Sequence, residues 1–157
     1  MNCELRIINS RFVSVFLLIF CFVFFTGCGD GRPKRYPVQG VITVDGQPLS
    51  GDFVGSVRLI PVAGGRPASA QLDSEGKFTL GCYDAQDGCP AGEYKVEVSV
   101  SEQKNFKMRY LVPPRYWDAD KSGLTVKIEG KNPSLTIDVK WEPQDAKYRK
   151  MVINMNE

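Results

Sequence analysis

The sequence of 157 residues contains no histidine, which removes the commonest general base and the commonest metal ligand together. Zinc sites and nucleophile–histidine triads are therefore not expected. Charge is also short on asymmetry: 20 Lys and Arg face 18 Asp and Glu, for a formal net charge of +2. Without a basic face or stripe, a nucleic-acid partner is not expected. Long helical periodicity is missing too, which turns the reading toward short strands. No cofactor motif is present and no cofactor is expected.

One long apolar run stands out. Arg6 and Arg11 precede Phe12 to Phe25, where nothing is charged and only Ser14 is polar, and Thr26, Gly27 and Cys28 come next. A basic start, an apolar stretch of this length and small residues before a cut have the layout of a secretory signal peptide. Phe25-Thr26-Gly27-Cys28 resembles the lipobox of bacterial lipoproteins, in which a peptidase cuts before a cysteine that carries diacylglycerol. The resemblance implies a signal peptide over residues 1–27 and a mature chain held to a membrane by acyl chains, such as palmitate, on Cys28. An uncut anchor and simple secretion are the alternatives. The uncharged stretch Phe12 to Gly29 reaches only the lower length limit for a span, and Arg32, Lys34 and Arg35 behind it would be drawn to the cytoplasmic side. Cleavage avoids that conflict and places the chain in the cell envelope, on its periplasmic or outer-surface side.

Arg6, Arg11 and Glu4 leave with residues 1–27, so the mature chain is almost neutral. Its remaining length suits one domain with a real core. Residues 28–37, rich in Gly, Pro and basic side chains, form a tether that reaches about 30 Å when extended. Of five cysteines, Cys3 and Cys21 lie in the signal peptide and Cys28 is the lipidation site, leaving Cys82 and Cys89. An even pair in an oxidising compartment points to a structural disulfide, and the spacing is not the C-x-x-C of a redox enzyme.

From Val38 onward, alternating runs are separated by turn signals. The runs are Val38 to Val44, Phe53 to Leu59, Ala70 to Leu72, Lys77 to Leu80, Tyr94 to Val100, Leu124 to Ile128 and Leu135 to Trp141. Asp45-Gly46-Gln47-Pro48, Gly64-Gly65-Arg66-Pro67, Asp73-Ser74-Glu75-Gly76 and Gly130-Lys131-Asn132-Pro133 punctuate them. The expectation is an all-β, seven-stranded antiparallel β-sandwich over residues 38–141. Residues 142–157 form a C-terminal tail with two alternative readings: a short helix started by Pro143, with Tyr148, Met151 and Val152 on one side, or an added edge strand at Met151 to Met155.

The stretch from Val38 to Leu49, with Asp73 to Leu80 and Pro90 to Val96, resembles carboxypeptidase regulatory-like domains. That resemblance implies a transthyretin-like (prealbumin-like) sandwich, related in style to immunoglobulin-like folds, acting as a non-catalytic module rather than an enzyme. Phe78 and Tyr94 would face the core, and Gly46 and Gly76 would take positive φ in turns.

Two further patterns carry candidate chemistry. Asp118, Asp120, Ser122 and Glu129 match the ligand spacing of a calcium loop, but the flanking Pro113-Pro114 and the alternating Leu124 to Ile128 are the wrong context for its two helices. No metal site is expected there. The segment 106–117 gathers Phe106, Tyr110, Tyr116 and Trp117, which with Tyr83 would offer contacts for a glycan or peptide if they lay together at the surface. The expectation is instead that Tyr116 and Trp117 fold over the open end of the sandwich and complete its core. Asp84 and Asp87 read as solvated turn residues. The expected function is a membrane-anchored envelope lipoprotein whose domain is a structural or interaction module, with an envelope protein or glycan as partner. The alternative is an envelope ligand-binding protein that uses residues 106–117.

Overall fold

Strand formation obeys the alternation of apolar residues. In the computed structural model, residues 31–130 and 134–154 are described, and strand outweighs helix by 48% to 9%. Twelve strands occur among the described residues: β1 (Arg35–Tyr36), β2 (Gln39–Val44), β3 (Gln47–Pro48), β4 (Val54–Pro61), β5 (Ala68–Gln71), β6 (Lys77–Thr79), β7 (Cys89–Pro90), β8 (Gly92–Lys104), β9 (Lys107–Tyr110), β10 (Thr125–Ile128), β11 (Ser134–Val139) and β12 (Val152–Asn154). The proposed signal segment and Cys28, Lys131 to Pro133 of one turn, and Met155 lie outside the described residues.

The larger sheet runs β12-β9-β8-β4-β5, with β10 also on β8. Strand β8 is its axis. Along one edge it pairs with β4 over Tyr94 to Ser101; along the other, β10 takes its first residues and β9 its last. The smaller sheet centres on β2, which meets β11 on one side and β3 and β6 on the other. Both sheets turn one face inward, giving a sandwich-like β-rich fold. Val57, Leu59, Val96, Val98 and Val100 of the larger sheet and Ile42, Phe78, Leu80 and Val139 of the smaller lie in one buried cluster. Removing this apolar area from water is the main favourable contribution to folding.

All seven expected runs appear, as β2, β4, β5, β6, β8, β10 and β11, but two features differ from the sequence expectation. The count is larger, because β1, β3 and β7 are two-residue pieces and β9 and β12 come from stretches read as loop and tail. The sandwich is also not wholly antiparallel: β11 runs parallel to β2 from Ser134↔Gln39 to Val139↔Val44. Alternation reports which face is buried, not the direction of the neighbouring strand. The tail resolves into a turn at Pro143–Asp145, one helical turn at Ala146–Arg149, and β12 paired antiparallel to β9.

Two hairpins use the same two-residue turn with different chemistry. Asp45 and Gly46 join β2 to β3 with φ of 52° and 75°, the positive pair a type I′ turn needs. Asp138 Oδ1 accepts hydrogen bonds from Thr43 Oγ1 and Gly46 N, both at 2.8 Å, fastening that turn to β11. Asn105 and Phe106 join β8 to β9 with φ of 50° and 59°. Phenylalanine there costs about 1 to 2 kcal/mol relative to an ordinary backbone conformation, and glycine would not.

Gly40 is fixed by packing. It lies opposite Phe78 across the β2–β6 pair, and a Cβ on it would run into the Phe78 ring and stand 2.5 Å from the Leu135 carbonyl oxygen. The Phe78 ring is only 4% exposed, so it has nowhere to move. Gly40→Ala is expected to lower stability by about 2 kcal/mol, read as a fall in the urea midpoint at unchanged slope.

Candidate functional site

The residues singled out by sequence fall into three separate places. The first is the loop 81–90, which holds Cys82, Tyr83 and Cys89. Gly88 N donates to the Leu80 carbonyl at 2.9 Å, and Gly81 and Ser69 exchange both of their backbone hydrogen bonds at 2.9 and 3.0 Å, so the loop is closed by its backbone. Gly88 has φ of 82°, and a Cβ there would collide with the Tyr36 carbonyl, so β1 rests directly on this glycine.

Asp87 organises the same loop, contrary to its expected place as a solvated turn residue. Its Oδ1 accepts the Cys82 N–H at 2.6 Å, its Oδ2 accepts the Tyr83 N–H at 3.3 Å, and the same Oδ2 meets Arg35 Nε at 2.8 Å. Burial pushes the Asp87 carboxyl upward, but backbone donors from Cys82, Asp84 and Tyr83 and the Arg35 charge more than offset it, leaving the pKa below the usual aspartate value. Arg35 and Arg66 both stand over the Tyr83 ring, at 5.2 and 5.1 Å from its centroid. That ring is a cation platform already in use.

Cys82 and Cys89 are free and buried, so the expected disulfide is not formed in this structure. Each thiol has its own surroundings. Cys82 Sγ points to the Arg66 carbonyl at 3.6 Å, and Cys89, fully buried, lies by the Tyr94 hydroxyl, which itself donates to the Pro90 carbonyl at 2.8 Å. Burial raises both thiols, Cys89 to about 11, and the neighbouring Cys82 and Asp87 reinforce that rise at Cys89. The Tyr94 hydroxyl is raised as well, first by burial and then by the Cys89 charge. Both cysteines are thus protonated and unreactive at neutral pH.

Beside this loop, a groove of about 1080 Å³ is bordered by residues of β2, β5 and β6. Gln39, Val41, Ser69, Gln71, Thr79 and Gln86 are among the residues that line it. It exists because the β5–β6 hairpin opens in the middle. The Asp73 turn closes one end, through Asp73 N to the Lys77 carbonyl at 3.0 Å, and the Ser69↔Gly81 bridge closes the other. Between them the strands belong to different sheets.

The second place is the segment 106–117, which is not one loop. Phe106 is a hairpin tip, Lys107–Tyr110 is β9, and Pro114–Trp117 is a 3-10 turn. Tyr116 is 5% exposed, its hydroxyl accepting from Arg115 Nη2 at 2.9 Å and from Lys140 N at 3.2 Å. Arg115 also meets Glu142 at 3.0 Å and the buried Asp145 at 3.3 Å, clamping the turn to the tail. Tyr110 packs against Trp117 at 5.0 Å and against Tyr148 at 5.9 Å. Tyr148 carries no sequence signal for that role. The surface grouping of Tyr83, Tyr110, Tyr116 and Trp117 that a ligand site would need is therefore divided: Tyr116 is core, as its expected place over the open end of the sandwich requires, Tyr110 and Trp117 form a half-buried cluster, and Tyr83 belongs to the cysteine loop.

The third place is the acidic spacing pattern, where the carboxylates engage lysines. Asp118 Oδ2 meets Lys121 Nζ at 2.6 Å, Asp120 meets Lys95 at 2.6 Å, and Glu129 meets Lys127 at 2.7 Å. Asp118 Oδ1 instead accepts the Asp120 N–H, and Ser122 Oγ donates to the Ala119 carbonyl at 3.1 Å. Among the described residues, no group of three or more acidic or thiol side chains converges to hold a metal ion.

Asp87→Ala should destabilise the chain by about 2 kcal/mol at pH 7, since it strands buried donors. A depressed folded pKa stabilises above the unfolded value of about 4 and is lost as pH falls through the folded value. The gap between wild type and variant should therefore close in acid, as urea titrations at pH 7 and pH 3 would read. In the folded chain at pH 8, alkylation of Cys82 and Cys89 is expected to be at least about tenfold slower than in the unfolded chain, measured by peptide mass mapping. Compared with known proteins, the sequence matches no family profile and no curated protein.

Proposed function

We propose that the chain is a cell-envelope lipoprotein: residues 1–27 are a signal peptide, Cys28 carries the lipid, and the β-rich domain is a structural or interaction module without catalysis. The observation that carries this reading is the run Phe12 to Phe25 ending in Thr26-Gly27-Cys28, with a compact unit beginning a few residues later at Lys34. A short polar stretch between a lipid and a folded unit is what a tether requires. Within this reading the domain is a prealbumin-like sandwich, supported by the inward-facing Phe78 and Tyr94 and by the positive φ of Gly46 and Gly76.

The aromatic residues favour the module over a glycan or peptide site on 106–117. Tyr116 is spent on the core and on holding the tail, and Tyr83 is covered by two guanidinium groups at a different part of the fold. The partner is then a surface of the envelope, reached while the lipid holds the domain in place.

Intact mass spectrometry of the membrane-extracted native protein tests the proposal. The expected mass is that of a chain starting at Cys28 plus a lipid increment. An unmodified Cys28, or a chain that keeps Met1, would overturn it.

A further inference from the structure

Phe106 is the most exposed large apolar side chain among the described residues, at 67%, and it occupies a turn position that favours glycine. It takes no part in the buried cluster or in the hydrophobic side chains packed around it. The β8–β9 pairing requires positive φ at this position but not a phenylalanine, so no contact inside the fold accounts for the aromatic side chain. A bulky residue kept where glycine would be easier points to a role at that spot.

The side chains around it define the chemistry. Lys104 and Lys107 face each other across the base of the turn, both exposed, and among the described residues neither meets a carboxylate. The nearest acid on the hairpin, Glu102, is held by Arg109 at 2.7 Å. The tip thus shows one bare aromatic ring between two ammonium groups that no described carboxylate holds. A stable protein interface buries at least about 1,000 Å², whereas one aromatic side chain offers only about 200 Å². An anionic bilayer needs no large complementary surface. Apolar side chains such as phenylalanine bury at the headgroup–acyl boundary, and each lysine near such a surface adds about fivefold in affinity.

We propose that the β8–β9 tip is a membrane-contact point that inserts Phe106 into the interface of an anionic lipid bilayer while Lys104 and Lys107 bind the headgroups. This contact needs no lipid on Cys28. It lies far from where the chain joins the domain: β1 pairs with β7, just before the first residue of β8, and the tip comes directly after the last. Thirteen residues of strand separate the two ends by about 40 Å. If the proposed function holds and Cys28 is lipidated, the domain has two independent attachments to the membrane, one through its tether and one through the tip.

The test uses the full chain with Phe106→Trp, reconstituted on phosphatidylcholine vesicles with and without phosphatidylglycerol. Emission from Trp117 and Trp141 is measured on wild type and subtracted. Flotation reports any attachment, whereas quenching by lipids brominated on their acyl chains reports the tip alone. Thermal unfolding within a few degrees of wild type shows that the variant is folded. The expected result is a blue-shifted emission at position 106, quenched about twofold or more on anionic vesicles, with the quenched fraction falling steeply when K104E and K107E are added. Water-like, unquenched emission on anionic vesicles to which the chain floats would overturn the proposal and leave the anchor standing. Equal quenching without phosphatidylglycerol would overturn the role of the two lysines, and shielding of position 106 only on addition of a second protein would reassign the tip to a protein surface.

Discussion

The fold depends on the pairing and burial of β8. Its side chains at Tyr94, Val96, Val98 and Val100 are each no more than 2% exposed, so one strand supplies a continuous inner face. Its backbone meanwhile serves three other strands, with β4 along one edge and β10 and β9 sharing the other. A central strand used in this way fixes register on both sides, because a slip by one residue would carry every valine to the wet face. Its ends then decide where the rest can stand. The Gly92 end meets β7, the cysteine loop and the start of the domain, and the Lys104 end carries the Asn105-Phe106 turn.

Local polar groups do the remaining fastening. Asp138 ties the β2–β3 turn to β11, Asp73 caps its own turn through the Glu75 and Lys77 amides, and Asp87 gathers the cysteine loop onto Arg35. Arg115 does the same for the tail through Glu142, Asp145 and the Lys140 carbonyl. The contacts of Asp138, Asp87 and Arg115 are charge-assisted and centre on half-buried side chains, where they are worth more than open surface pairs such as Lys127 with Glu129; the Asp73 turn is exposed. They place the loops and leave the sheets to the apolar core.

Much of the β pattern was legible from alternation and turn chemistry. Tyr94 to Val100 and the Asp45-Gly46 turn are where local preference and tertiary structure agree, and both stand as the sequence suggests. The opening of the β5–β6 hairpin was not legible, although Asp73 to Gly76 is a good turn signal and does form the turn. Turn chemistry governs the first pair beyond a turn; whether the strands stay paired depends on Phe78 and Leu80 being drawn into the opposite layer. The candidate sites were less legible still. The spacing of Asp118, Asp120 and Glu129 says nothing of Lys95, Lys121 and Lys127, which engage all three carboxylates. Nor does the spacing of Cys82 and Cys89 show that hydrogen bonds already close their loop.

The sequence by itself determined the apolar run that leads to Cys28, the β-rich class of the domain beyond it, and the faces that are buried, because these rest on composition and on a period of two residues. Only the tertiary structure decided that β11 lies parallel to β2, that Asp87 is a keystone, that Tyr116 is core, and that Phe106 stands bare between two lysines. Each of those depends on which distant residues are brought together, and a pattern of spacings along one chain carries no record of that.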